Sequence, residues 1–131
     1  MHGKILAVED EPDQLELLAL LLREEGFAID TAANGLEALD KVAHSRPDLI
    51  VLDVSMPKMN GFTCCQKLRE NPATAAIPVL MLTGLRSQFA QINGFAHGAN
   101  AYLTKPYKPA ELISEVHRLL RGPAAASPAR P

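Results

Sequence analysis

The segment LIVLDVSMPKMNG (residues 49–61) decides the fold, because an ionisable side chain follows directly on an unbroken apolar run. The apolar residues before Asp53 are typical of a buried parallel strand, and the residues after it form a loop with Pro and Gly. Burying an unpaired carboxylate costs roughly several kcal/mol, so we expect Asp53 at the exit of the strand, within reach of water, a cation or a polar partner. The segment therefore predicts a strand that ends in a site.

The sequence on either side alternates between short apolar runs and longer helical patterns. Strands are predicted at residues 4–8, 27–31, 48–53, 77–83 and 100–105. Helices, with Pro or Gly at several of their ends, are predicted at residues 13–26, 35–45, 62–71, 86–98 and 109–122. Strands that alternate with helices through short connections form right-handed crossovers. The fold class is therefore α/β, with a parallel sheet covered by helices on both faces.

Size and charge exclude several classes of protein. The 131 residues fit one domain, and a net charge of −2 without a basic stripe argues against direct nucleic-acid binding. The apolar stretches are shorter than the roughly 18 to 20 residues that a membrane span needs, and acidic residues follow the N-terminus too soon for a signal peptide. We therefore expect a cytoplasmic protein with no membrane contact. Cys64 and Cys65 are adjacent, which is not the spacing of a redox or zinc motif.

Polar side chains stand at the C-terminal ends of four predicted strands, the edge at which open α/β sheets bind ligands. Carboxylates gathered there repel one another unless a cation lies between them, and oxygen ligands in an open site favour Mg²⁺. With a hydroxyl and an ammonium nearby, these are the groups of phosphoryl transfer, in which Asp53 would be the nucleophile that forms an aspartyl-phosphate. The residues are Glu9, Asp10, Glu11, Asp53, Thr83 and Lys105.

Four motifs together carry a resemblance to a known family. In their order and spacing, ILAVEDEP, LIVLDVSMPKMNG, VLMLTG and GANAYLTKP resemble the receiver domain of bacterial two-component response regulators. The resemblance implies a doubly wound, flavodoxin-like sheet of five parallel strands in the order 2-1-3-4-5. It implies a receiver domain over residues 1–121, and the Pro- and Ala-rich composition of residues 122–131 is typical of a flexible tail or linker. It implies a signalling domain rather than an enzyme, with no enzymatic role beyond its own phosphotransfer and slow dephosphorylation.

The resemblance also assigns the site. Asp53 would accept a phosphoryl group from a sensor histidine kinase or a phosphotransfer protein. Thr83 and Lys105 would contact the phosphoryl oxygens, and the bond between Lys105 and Pro106 would be cis. Mg²⁺, or Mn²⁺ in its place, would be held by Asp10, Asp53 and the backbone carbonyl of Ser55, with Glu9 assisting through water.

A conformational switch is implied as well. Thr83 would move toward the phosphoryl group and Tyr102 would turn inward to fill the space that is left. A downstream protein or a fused output domain would then bind the face made by residues 86–98, 100–103 and 109–120, which comprises the fourth predicted helix, the fifth strand and the fifth helix.

Two features depart from the family pattern, and three alternatives stay open. Glu9 replaces the more usual aspartate, and Lys108 is a poor N-cap before Pro109. One alternative is a receiver-like interaction module that is never phosphorylated. An Asp-nucleophile phosphatase of the haloacid dehalogenase type would need a second acid where Ser55 stands. A flavodoxin-like cofactor binder would need a phosphate-cradling loop where VEDEPDQ is acidic.

Overall fold

The computed structural model describes residues 3–54, 59–84 and 98–121. Five parallel strands form one sheet in the order β2-β1-β3-β4-β5, which confirms the predicted order. The strands are β1 (Lys4–Val8), β2 (Ala28–Ala32), β3 (Leu49–Asp53), β4 (Val79–Thr83) and β5 (Ala101–Thr104). The helices of the described part are α1 (Pro12–Glu24), α2 (Gly35–His44), α3 (Gly61–Glu70) and α4 (Pro109–Leu120).

Most element boundaries differ from the predicted ones by one or two residues. The helix predicted at residues 86–98 falls almost entirely outside the described residues, and Gly98, its predicted last residue, lies in a turn with φ +97°. The Pro- and Ala-rich stretch at residues 122–131 also lies outside them, so the predicted division into domain and tail stays a prediction.

The two faces of the sheet bury alternate residues of each strand, because successive side chains of a strand point to opposite faces. Leu6, Ile50, Leu52 and Met81 face the side covered by α2 and α3. The residues between them in the strands pack against α1 and α4 on the opposite side, and these include Ile5, Leu49, Val51 and Leu80. Helices therefore cover both faces, as predicted. No helix of the described residues is long and apolar enough to cross a membrane.

Helix caps position the loops that lead into the site edge. Asn34 and Asn60 accept hydrogen bonds from the backbone N–H groups of Glu37 and Thr63 at 2.9 Å and so cap α2 and α3. Lys108 makes no side-chain cap at α4, in line with its prediction as a poor N-cap. Its backbone N–H is bound instead by the Glu111 carboxylate at 2.8 Å, which restores part of the lost capping.

Candidate functional site

Parallel pairing brings the polar strand ends together at one edge. β3 lies between β1 and β4, so Glu9, which follows β1, and Thr83, which ends β4, flank Asp53 at the end of β3. The exposed fractions of Glu9, Asp53 and Thr83 are 3%, 4% and 1%, so three polar side chains are buried at this edge. Buried polar groups need partners, and these three residues are therefore candidates for a functional site.

Three carboxylates converge in the described part of this edge. Oxygen atoms of Glu9, Asp10 and Asp53 all lie within 4.8 Å of one another, with Asp10 the more exposed member. A second oxygen of Glu9 accepts the backbone N–H of Glu11 at 3.2 Å, which orients that carboxylate. Hard oxygen donors at this spacing fit a divalent cation such as Mg²⁺. Ser55, whose carbonyl was predicted as a further ligand, lies outside the described residues.

The Lys105 ammonium bridges the carboxylates. Its Nζ lies 2.8 Å from Glu9 Oε1 and 2.9 Å from Asp53 Oδ1. A third contact, at 3.1 Å, goes to Gln14 Oε1 in the first turn of α1. Burial opposes the charge of Lys105, but the hydrogen bonds that the ammonium donates to Glu9 and Asp53, together with the charges of these carboxylates, outweigh burial and raise the pKa of the ammonium. The sequence predicted that Lys105 lies here but did not identify Gln14. The only sequence feature that could have marked Gln14 is its position four residues after Asp10.

Asp53 lies in a setting that disfavours its ionised form. Burial raises the pKa of its carboxyl from 3.8 to about 6, and the charges of Glu9 and Asp10 add to the rise, whereas Lys105 opposes it. The folded protein therefore binds this proton more tightly than the unfolded chain does. The stability that results is fully present below pH 3.8 and is lost as the pH rises through about 6.

Asp53→Asn is expected to stabilise the metal-free protein at high pH. The neutral amide keeps an oxygen for Lys105 without a second buried negative charge, so we expect a gain of about 1 to 2 kcal/mol in unfolding free energy near pH 8. The gain should vanish near pH 4, where wild-type Asp53 is largely protonated. Urea unfolding in a chelator at both pH values measures it, with the exposed Asp40→Asn as control. Equal stabilities of wild type and Asp53→Asn at pH 8 would contradict the expected shift.

The predicted switch pair is in contact. The side chains of Tyr102 and Thr83 are hydrogen-bonded to each other, and Tyr102 is half-buried against the core beneath α2 and α3. Burial raises the pKa of the Tyr102 phenol, and the bond to Thr83 partly offsets this. The peptide bond between Lys105 and Pro106 is cis, as predicted. The backbone N–H of Lys105 donates to the carbonyl of Thr83 at 2.6 Å, which places Lys105 beside the end of β4.

Comparison with known proteins decides the family. The model of the response regulator receiver domain family matches residues 5–117, which is most of the chain. The chain is a response regulator receiver domain. This family of two-component signalling domains is distinct from the dehalogenase-type phosphatases and the flavodoxins considered as alternatives.

Curated relatives of this receiver domain are longer proteins. It is 42% identical over 118 residues to the DNA-binding dual master transcriptional regulator RpaA of Synechocystis, covering 90% of the chain and 49% of the relative. It is 41% identical to the alkaline phosphatase synthesis transcriptional regulatory protein PhoP of Bacillus subtilis, covering 98% of the chain and 52% of the relative. The chain thus spans about half the length of these relatives, and the DNA binding named for RpaA is stated for that whole protein. The absence of direct nucleic-acid binding here stays a prediction.

Solved structures share the whole receiver fold. The receiver domain of a signal transduction histidine kinase from Syntrophus aciditrophicus is 42% identical with a TM-score of 0.86, covering 92% of this chain and 91% of that one. The receiver domain of sensor histidine kinase PA1611 from Pseudomonas aeruginosa, solved with magnesium coordinated in its active-site cleft, is 29% identical with a TM-score of 0.86. That alignment covers 93% of this chain and 100% of the other.

Proposed function

We propose that this receiver domain accepts a phosphoryl group on Asp53 in a reaction that depends on a divalent cation. The observation that carries the proposal is the contact of the Lys105 ammonium, 2.9 Å from Asp53 Oδ1, beside three converging carboxylates. An ammonium bound to a buried carboxylate, with two further carboxylates beside it, suits a transferred phosphoryl group, whose charge the ammonium and a cation would neutralise.

In this reaction a carboxylate oxygen of Asp53 attacks the phosphorus atom of the donor. The new bond joins that oxygen to phosphorus, the bond from phosphorus to the donor nitrogen breaks, and its electron pair remains on the imidazole of a phosphohistidine. Lys105 would pass from Asp53 to a phosphoryl oxygen and neutralise charge there, while the Thr83 hydroxyl donates to another. The pKa of Asp53, raised to about 6, leaves most of it ionised and nucleophilic above neutral pH.

The cation would be Mg²⁺, or Mn²⁺ in its place, held by Asp10, Asp53 and the Ser55 carbonyl, with Glu9 assisting. When bound, it neutralises the repulsion among the carboxylates and the charge on the transferred group. The solved relative with magnesium in its cleft supports this assignment.

The phosphoryl donor would be a sensor histidine kinase or a histidine phosphotransfer protein, and the readout would use the pair Thr83 and Tyr102. Phosphorylation adds a charge of roughly −1.5 to −2, which would draw the Thr83 hydroxyl away from Tyr102. Tyr102 would then turn inward and change the surface formed by β5 and α4 with residues 86–98. Residues 85–97 lie outside the described residues, so the face toward a downstream protein or fused output domain rests here on β5 and α4.

Intact mass after incubation with acetyl phosphate and Mg²⁺ tests the function. Wild type is expected to gain roughly 80 Da, the mass of one phosphoryl group, and Asp53→Ala is expected to gain none. Asp40→Ala, which removes an exposed carboxylate of α2, serves as control and should gain as wild type does. A folded wild type that gains no mass from this donor or from a phosphohistidine donor would point instead to an interaction module without phosphorylation.

A further inference from the structure

The three protons of the Lys105 ammonium have three acceptors in the described part of the site. Two are carboxylates of the acidic cluster, Glu9 at 2.8 Å and Asp53 at 2.9 Å. The third is the side-chain carbonyl of Gln14 at 3.1 Å, which comes from α1. An ammonium donates and cannot accept, so the amide oxygen of Gln14 must face Lys105, and its NH₂ group points elsewhere.

We propose that Gln14 is a positioning residue of the phosphotransfer site, which holds the Lys105 ammonium over Asp53. The inference rests on the proposed function. Both carboxylate partners of Lys105 change during the reaction, because Asp53 becomes an acyl phosphate and Glu9 is shared with the cation. Gln14 takes part in neither change, so it can keep one proton of the ammonium bound while the other two move to new acceptors.

The neutrality of Gln14 matters for this role. A carboxylate at this position would draw the charge of Lys105 away from the phosphoryl group, whereas a neutral carbonyl directs the ammonium and leaves its charge available. The flexible stem of Lys105 otherwise has several rotamers, and each orientation lost before reaction lowers the entropic cost of reaching the transition state.

The fold places the backbone of Gln14 beside the site, and its side chain is exposed. Pro12 begins α1 directly after the acidic turn, and Leu15, beside Gln14, packs against the core beneath α1 and α4. The first turn of α1 is therefore anchored to the sheet, and Gln14 projects at the rim of the site. The contact joins residues 91 positions apart in sequence, which is why no local pattern predicts it.

Gln14→Met provides the test, because methionine keeps the length of the side chain and removes the acceptor. The maximal rate of mass gain from acetyl phosphate at saturating Mg²⁺ is expected to fall about three- to tenfold, the loss of one hydrogen bond to a charged group at a partly hydrated site. Gln66→Met makes the same substitution on the exposed side of α3 and should leave the rate unchanged.

A second readout does not need phosphorylation. In protein labelled with ¹³C-lysine, the chemical-shift difference between the two Cε protons of Lys105 should be smaller in Gln14→Met than in wild type, because Glu9 and Asp53 still bind the ammonium but its third acceptor is lost. Gln14→Glu keeps an acceptor and should keep the difference. A purely structural Gln14 would change the urea unfolding midpoint without changing these signals.

The outcomes separate the inference from the proposed function. A Gln14→Met protein that is phosphorylated as fast as wild type would overturn the positioning role. If wild type itself gains no phosphoryl group, the proposed function fails. The NMR signals of Lys105 then still test whether Gln14 contacts its ammonium. A shift difference that is unchanged in Gln14→Met would overturn the contact, and a reduced difference would support it.

Discussion

Arg69→Ala is expected to lower the unfolding free energy by about 3 to 5 kcal/mol, because the Arg69 side chain donates hydrogen bonds to four oxygen atoms, and the substitution would leave all four without this donor. Its Nε donates to the Gly98 carbonyl at 2.9 Å. Its Nη1 donates to the carbonyls of Ala75 and Ile77 at 3.1 and 2.7 Å. Its Nη2 donates to Asn100 Oδ1 at 2.7 Å.

These contacts join the C-terminal end of α3 to the turns before β4 and β5. Asn100 Oδ1 also accepts the backbone N–H of Val79 at 2.8 Å, so the network fixes the start of β4 as well. Burial lowers the pKa of the Arg69 guanidinium, yet the group stays charged, since an arginine side chain keeps its proton in proteins. Because β5 carries Tyr102 and leads to Lys105, the loss should also reduce the order of the site.

Urea unfolding measures the effect of Arg69→Ala, and Lys67→Ala, at an exposed position of the same helix, is its control. Arg69→Lys should recover little, because a single ammonium cannot reach the acceptors on both turns as the planar guanidinium does. A loss below about 1 kcal/mol in Arg69→Ala would show that water replaces the network at no cost.

Gly61→Ala is expected to cost about 3 kcal/mol or more, although Ala favours helices over Gly by roughly 1 kcal/mol. A Cβ at this position would lie 2.5 Å from the Asp53 carbonyl oxygen and 2.9 Å from Val54 Cα. Both are backbone atoms, so either α3 or the end of β3 must move. The Gly61 N–H also donates to the Val54 carbonyl at 2.9 Å, a bond that the displacement would lengthen.

Because the clash falls on the backbone of Asp53, Gly61→Ala should slow phosphorylation as well as destabilise the fold. The matched control is Gly84→Ala, where an added Cβ would meet no atom of the described residues within 4 Å beyond its chain neighbours and should leave stability nearly unchanged. Urea unfolding and the rate of mass gain from acetyl phosphate measure the two effects. A Gly61→Ala protein as stable as wild type would mean that the start of α3 shifts without cost.

Much of the fold and the positions of several site residues could be predicted from local patterns and from the resemblance to receiver domains. Apolar runs with turn residues at their ends predicted the strands, and the resemblance to receiver domains implied their order. The positions of Glu9, Asp53, Thr83 and Lys105 at strand ends followed because the carboxyl ends of parallel strands meet at one edge. The cis bond before Pro106 was also correctly implied.

What the sequence by itself determined is the set of elements and which side chains stand at their ends, because both follow from periodicity and neighbouring residues. The tertiary structure alone decided the third acceptor of Lys105, the four acceptors of Arg69 and the backbone approach at Gly61. It also decided that burial raises the pKa of Asp53. These features depend on distances between groups in the folded chain and on the exclusion of water, which no local pattern records.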